Sequence, residues 1–425
     1  MEQIRQETIS IPVSEEMSTG VLRRLTFRQL EAMTEGHLSI TLPDGVTVEF
    51  GDRDSSQKAM IRIVRNSFFR KCALYGDVGF GEAYVDGDWD TDNITKVIQW
   101  FLLNIDNAPT VSGTKRRAPA FNILKIVNTI GHRLRDNTIR GSRRNIADHY
   151  DLSNAFFANV LDPGMTYSSA YFAQPDLTLE QAQTEKYDRL CNQLRLKPTD
   201  HVLEIGSGWG GFAVHAAANY GCHVTTITVS AEQERYARQR VIEQGLQEKI
   251  AVRNQDYRTM SGRFDKIVSI EMLEAVGHRH METFFATCHK MLKKDGLLGL
   301  QVIISPDSRY ESLRKGVDWI QKYVFPGSLL PSIARINQAV NRTGDLFLHD
   351  LKDLGLHYAR TLREWRDNFN RNRPRILGLR FDERFVRMWN YYLSYCEAGF
   401  SMRNISVVQM VYARPNNASL RSEEL

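Results

Sequence analysis

The segment His201-Val-Leu-Glu-Ile-Gly-Ser-Gly-Trp-Gly-Gly-Phe-Ala213 constrains this chain more than any other stretch. A short apolar strand runs into a glycine turn, and a helix follows at once. Gly206, Gly208 and Gly211 have the spacing that lets a backbone approach a ligand with no side chain between. Dehydrogenases share this spacing, so the acids decide the reading. A dinucleotide site places its acid about 20 residues later, and there the chain reads Thr225-Thr-Ile-Thr-Val-Ser230, with none. Glu204 instead stands just ahead of the first glycine, and Asp256 follows a later strand at Ile250-Ala-Val-Arg-Asn254. One carboxylate at the first turn and another two strands on suit a nucleoside ligand without a pyrophosphate, S-adenosylmethionine first among them. The competing reading is a glycine-rich helix start that binds nothing.

At 425 residues the chain is long enough for two domains. Its net charge of +5 matters only where it is concentrated. Cys72, Cys191, Cys222, Cys288 and Cys396 are scattered and lack metal-ligand spacing, so reduced thiols in a cytoplasmic setting are expected, with no metal centre. Met1-Glu-Gln-Ile-Arg-Gln-Glu7 carries charges where a signal peptide needs an apolar core. No apolar run approaches the roughly 18 residues that span a bilayer. A soluble protein is expected, one still able to sit on a membrane.

Residues 1–107 read as a small α+β domain. Leu38-Ser-Ile-Thr-Leu42 alternates as a strand, Asp44-Gly45 turns, Val46-Thr-Val-Glu-Phe50 returns, and Ile94–Leu103 reads as a helix. Residues 108–144 form a basic linker. From 114 to 144, nine Lys and Arg side chains, among them Arg116, Arg117, Arg143 and Arg144, face one acid, Asp136. Phe121, Leu124, Val127, Ile130 and Leu134 recur there at helical spacing. Such a helix can dock on an anionic membrane surface or pack on its own protein, and the sequence does not choose between these. No aromatic-basic interleaving or known module supports nucleic-acid binding.

Residues 145–425 alternate strands and helices. Strands are expected at 202–205, 224–227, 250–252, 266–270, 296–303 and 405–412, with helices starting near Ala213, Ala231 and Met281. That order gives an open, mostly parallel sheet with its ligand crevice beyond the strand C-termini. Residues 306–400 look helical and aromatic-rich, as an insertion capping the crevice would.

Seven segments now carry a resemblance: His149-Tyr-Asp-Leu-Ser-Asn154, Met165-Thr-Tyr-Ser-Ser-Ala-Tyr-Phe172, Leu203–Gly211, Ile227-Thr-Val-Ser-Ala-Glu-Gln233, Gln255-Asp-Tyr-Arg258, Ile270-Glu-Met-Leu-Glu-Ala-Val-Gly277 and Tyr395-Cys-Glu-Ala-Gly-Phe400. In order and spacing these resemble the cyclopropane-fatty-acyl-phospholipid synthase family over residues 145–414. Gly81-Glu-Ala-Tyr-Val-Asp-Gly-Asp-Trp89 extends the likeness to the lipid-associated first domain of the longer members. The resemblance implies a class I methyltransferase, a Rossmann-like sheet with a helical insertion, acting with S-adenosylmethionine on unsaturated acyl chains of membrane phospholipids. It implies a peripheral position on the inner face of the membrane, and a homodimer.

Position by position, the resemblance places the cofactor along Tyr167, Ser168, Gly206 and Gly208, with Thr228 and Gln233 near the ribose and Asp256 and Tyr257 near the adenine. It also implies a bound bicarbonate as the base, in a pocket of Ser169, Glu274, Gln301, Ile303 and Tyr358. Glu274 would accept the bicarbonate hydroxyl, while backbone amides and Tyr358 share its charge. Taken alone, Glu274 reads as a solvated acid at a helix start and Tyr358 as a packed aromatic. Cys396 matches a family cysteine but reads as a small core residue. Phe172, Phe325 and Trp389 imply an apolar crevice lining. Many members have cysteine in place of Ser169 and histidine in place of Gln301. Those departures leave methyl transfer intact and bear on ring closure, without which a methyl-branched or methylene product results. The remaining readings are a membrane-binding protein without turnover and a small-molecule methyltransferase.

Overall fold

The structure is a computed structural model and describes residues 13–106 and 152–421. The basic stretch 114–144 and the His149–Asp151 end of the first matching segment lie outside the described residues. The chain divides into two compact units.

In the first unit, β1 (His37–Thr41), β2 (Thr47–Gly51), β3 (Lys58–Ile63) and β4 (Trp89–Asp90) form a sheet ordered β2-β1-β3-β4. The β1–β2 hairpin is the one read from Asp44-Gly45, and Gly45 has a φ of 85° that suits glycine in the turn. Strand β3 joins β1 in parallel, with helix Ser67–Val85 after it. Helix Ile94–Leu103 forms where its apolar spacing placed it, capped by Asn93 accepting from Lys96 N at 3.0 Å.

The second unit is a seven-stranded sheet of β5 (His201–Ile205), β6 (His223–Thr228), β7 (Ile250–Asn254), β8 (Phe264–Ile270), β9 (Leu292–Ile304), β10 (Phe347–Asp353) and β11 (Ser406–Ala413). Its order is β10-β11-β9-β8-β5-β6-β7, a class I methyltransferase sheet. Strands β9, β8, β5, β6 and β7 run parallel, and β11 enters antiparallel between β9 and β10. Both faces are covered, so the strands read as nearly continuous apolar runs. Along β5, Val202 packs with Leu190, Phe212 and Val224 on one face. Leu203 and Ile205 pack with Ile267, Phe284 and Leu298 on the other. Alternation puts Glu204 on the Val202 face, in the interior.

The insertion corrects one expectation. Residues 306–400 are not helical throughout, because β10 interrupts them. Its sequence Phe-Leu-His-Asp-Leu-Lys-Asp is half polar, as an edge strand needs to be to resist pairing with another chain. A register shift between Leu348 and Asp350 breaks the alternation further, which hid the strand. Helix Leu179–Gln193 was also not anticipated, although Thr178 and Gln181 close a complete capping box at its start. No helix among the described residues is long and apolar enough to cross a membrane.

Candidate active site

At the end of β5 the chain turns through Gly206 (φ 97°), Gly208 (φ 49°) and Gly210 (φ 84°), and helix Gly211–Tyr220 begins. The left-handed positions are thus 206, 208 and 210. Gly211 is required for a different reason, since a Cβ there would meet Tyr187 Oη at 2.7 Å. The amides of Gly206 and Ser207 both donate to Ile227 O, at 2.9 and 3.0 Å, which ties the turn to β6. A Cβ on Gly208 would meet no heavy atom within 4 Å, so the backbone there is open on one side. Open backbone at a helix N-terminus beyond a parallel strand is where this fold takes ligands.

The expected ribose residues sit together after β6. Thr228 Oγ1 donates to Gln233 Oε1 at 2.9 Å, which engages the acceptor end of that amide. Ser230 caps helix Ala231–Glu243 through Gln233 N. Asp256 also serves structure, accepting from Arg258 N, Nε and Nη2 at 2.9, 2.9 and 2.7 Å. Tyr257 follows it, its ring 5.4 Å from that of Phe284. Glu204 is 2% exposed, and its Oε2 has no hydrogen-bond partner. Burial pushes its carboxyl up to about 8, against the pull of the Lys186 charge. It is therefore a buried acid next to the last residue of β5.

Lys186 had no signal in the sequence. It is fully buried in helix Leu179–Gln193 and donates to Ser168 Oγ at 2.7 Å. Burial brings it down to about 7, while the charges of Glu271, Asp162 and Glu204 oppose that fall.

The expected bicarbonate ligands do converge, but on a side chain of the protein itself. Glu271 Oε1 accepts from Ser169 N and from Gln301 Nε2, both at 2.8 Å. Glu271 Oε2 accepts from Tyr358 Oη at 3.0 Å. Ile303 N donates to Glu274 Oε1. Every donor assigned to bicarbonate is thus engaged by one of the chain's own carboxylates, and a further anion would face two of them without a donor. The donor set does not fit a separate bicarbonate. The Ser169 hydroxyl turns away to Ala170 O at 3.0 Å, so its backbone amide does the work.

Glu271 and Glu274 are held differently. Glu271 follows the end of β8 at φ 49°, a conformation that costs a non-glycine residue about 1 kcal/mol or more. Burial pushes its carboxyl up, against Gln301, Ser169, Lys186 and Tyr358. Glu274 lies in the short turn Leu273–Ala275, 8% exposed, its Oε2 without a partner. Burial, and then the Glu271 charge, push it up to about 8. Tyr358 is buried in helix Gly355–Arg371 against Phe400, centroids 4.5 Å apart. Burial and the Glu271 charge keep its phenol well above its ordinary value.

An aromatic wall borders this cluster. Tyr167 Oη bonds Tyr392 Oη at 2.9 Å, and its ring lies 5.2 Å from Trp365, 5.3 Å from Phe157 and 6.4 Å from Phe325. Trp389 packs on Phe156 and Tyr392, at 4.6 and 5.3 Å. Phe325 and Trp389 therefore belong to this wall. Phe172 does not, since it sits under the Arg360 guanidinium at 3.9 Å. Cys396 is half-buried, not a full core residue, and burial raises its thiol out of nucleophilic range.

Sequence reasoning missed Glu271 although it lies inside a quoted segment. Two acids three residues apart at a strand end were the available signal, and only the second was taken up.

The chain is similar to known proteins over most of its length. A family model described as mycolic acid cyclopropane synthetase matches residues 137–410. The chain is similar to tuberculostearic acid methyltransferase UfaA1 of Mycobacterium tuberculosis, 37% identical over 404 residues, 93% of this chain and 92% of that protein. It is similar to cyclopropane-fatty-acyl-phospholipid synthase of Escherichia coli, 36% identical over 371 residues, 87% and 91% of the two chains. Among solved structures it matches the cyclopropane synthase MmaA2 of Mycobacterium tuberculosis, with a TM-score of 0.59, 30% identity, and 64% and 98% coverage. Mycolic acid cyclopropane synthase CmaA1 complexed with SAH and CTAB matches with the same score and identity, at 64% and 97%.

Proposed function

The chain belongs to the mycolic acid cyclopropane synthetase family and is an S-adenosylmethionine-dependent methyltransferase, and from that premise we propose that it modifies the cis double bond of acyl chains in membrane phospholipids, forming a cyclopropane ring. The observation that carries this reading is the meeting of three features at the strand ends: the open glycine turn, the carboxylate pair Glu271 and Glu274, and the aromatic wall around Tyr167. Met272 links the first two, its Cγ lying 3.3 Å from where a Gly206 Cβ would be.

S-Adenosylmethionine, when bound, supplies an electrophilic methyl on a sulfonium. Gly206 and Gly208 would let the backbone approach it, with Tyr167 and Ser168 alongside, Thr228 and Gln233 toward the ribose, and Asp256 and Tyr257 toward the adenine. An isolated alkene is a weak nucleophile, so the wall of Tyr167, Phe325 and Trp365 has to hold it at near-attack distance and exclude water. The alkene π pair forms the new carbon–carbon bond, and the carbon–sulfur pair stays on sulfur. The resulting chain cation becomes neutral by losing a proton to a carboxylate at the site. A proton taken directly from the new methyl closes the ring; the same proton lost after a 1,2-hydride shift leaves a methylene product, and one lost from a neighbouring chain carbon leaves a methyl-branched alkene.

The second reading, a methyl-branched or methylene product from the same substrates, is favoured by the likeness to the tuberculostearic acid enzyme. Peripheral association with the inner leaflet rests on the basic 114–144 stretch, and a homodimer on the family likeness. Purified protein with methyl-labelled S-adenosylmethionine and vesicles of cis-unsaturated phospholipid tests the proposal. S-Adenosylhomocysteine release that depends on the vesicles is expected, with a lipid product that resists ozonolysis. No release would overturn the substrate. A product cleaved by ozone would select the second reading.

A further inference from the structure

We infer that Glu271 is this chain's built-in replacement for an external bicarbonate, the carboxylate that takes the proton from the methylated chain. The inference rests on the acyl-methylation reading above and adds the identity of its base. It stands on geometry. An ionised carboxylate has about four acceptor positions. Ser169 N and Gln301 Nε2 fill two on Oε1, and Tyr358 Oη fills one on Oε2. One position on Oε2 stays available, on the oxygen held by the neutral phenol. Two amide donors and a phenol make the charge-stabilising shell that a small oxyanion base needs. The buried ammonium of Lys186 adds a positive charge to the same interior.

The backbone gives a second, independent reason. Glu271 occupies φ 49°, which glycine takes without strain and glutamate does not. A strained residue at the centre of a converging donor set is more economically explained by function than by packing. Three separate segments, at Ser169, Gln301 and Tyr358, contribute the donors that hold it there.

The step balances without a further reactant. A carbon–hydrogen bond of the cationic product breaks and its proton passes to Glu271 Oε2. The electron pair left behind forms the third ring bond or the new double bond. Glu271 is then a neutral acid and returns its proton to water when the product leaves, so each turnover yields one S-adenosylhomocysteine and one proton.

The test compares wild type, Glu271→Gln and Glu271→Gly in buffer stripped of carbon dioxide, with sodium bicarbonate or sodium chloride added at equal ionic strength. Wild-type turnover on unsaturated phospholipid vesicles is expected to be indifferent to bicarbonate, and a rate that collapses on stripping and returns with bicarbonate overturns the inference. Glu271→Gln fills the same space without a base, so turnover should fall about 10²–10⁴-fold with or without bicarbonate and with unchanged S-adenosylmethionine affinity. Retained turnover overturns the inference. Glu271→Gly relieves the backbone and frees all three donors, so bicarbonate should bind it and restore turnover. A folded glycine variant that binds S-adenosylmethionine but gains nothing from bicarbonate counts against the inference. Calorimetric titration of sodium bicarbonate separates this from the substrate question: binding to Glu271→Gly but not to wild type supports it even if these vesicles are not turned over, and binding to wild type overturns it.

Discussion

Gln409 Nε2 donates to Gln301 Oε1 at 3.0 Å, and this bond decides which end of the Gln301 amide faces Glu271. The two residues are direct partners across β9 and β11, and both are 1% exposed. Arg189 Nη1 in turn donates to Gln409 Oε1 at 3.3 Å. A relay running from Arg189 through Gln409 and Gln301 therefore ends as a donor on the carboxylate. Gln409→Leu leaves Gln301 Oε1 buried without a partner, at a cost of about 1–3 kcal/mol in stability. Because the amide is then free to invert, kcat is expected to fall further than that loss of folded protein explains. Thermal melts alongside vesicle turnover check it, and an unchanged kcat would show that the relay only supports the sheet.

The glycine turn separates two roles that one motif conceals. At Gly210 a Cβ would lie 3.1 Å from that of Ala237, in addition to the left-handed backbone, so Gly210→Ala should chiefly lower the melting temperature. At Gly208 the space is open, so Gly208→Ala pays only the backbone strain, about 1–2 kcal/mol. Its methyl group would stand where the ligand approaches, and S-adenosylmethionine affinity should fall. Calorimetry and melts on both variants test the split, and equal effects on both readouts would remove it.

Glu204 gives the protein a pH-dependent stability whose sign is fixed. Its folded carboxyl titrates at about 8, above the ordinary carboxylate value, so the fold favours the protonated form. That contribution is complete at low pH and is lost as pH rises from the ordinary value toward about 8. Lys186, brought down to about 7, stays charged in both folded and unfolded chains until the pH nears that value, where it adds a smaller slope of opposite sign. Between pH 5 and 7, Glu204→Gln should therefore gain on wild type by about 1–2 kcal/mol. Denaturant unfolding at both pH values measures it, and parallel curves would contradict the assignment.

The basic stretch is tested without reference to its structure. Reversing charge at Arg116, Arg117, Arg143 and Arg144 should weaken binding to anionic vesicles, and the difference should shrink as salt is raised. Vesicle flotation that is equal for the variant and wild type would take membrane docking away from this segment.

Local pattern in the sequence was sufficient for the parallel strands, the glycine turn and the β1–β2 hairpin, because periodicity and turn chemistry act over a few residues. It failed at β10, where an edge strand dilutes its own alternation with Asp350, Lys352 and Asp353. Asp256 and Glu204 were legible as acids near the site, but their partners were not. Arg258 claims the first, and the interior beside Lys186 surrounds the second.

The sequence by itself determined a nucleoside-binding sheet and the residue types gathered at its ends, since those follow from spacing along one segment. Only the tertiary structure decided which acid stands at the centre. Ser169, Gln301 and Tyr358 lie up to 189 residues apart in the chain, and no local pattern records that their donors meet on Glu271. Hydrogen-bond direction, burial and backbone strain arise when distant segments pack, and these separate an acid on a turn from a base held in place.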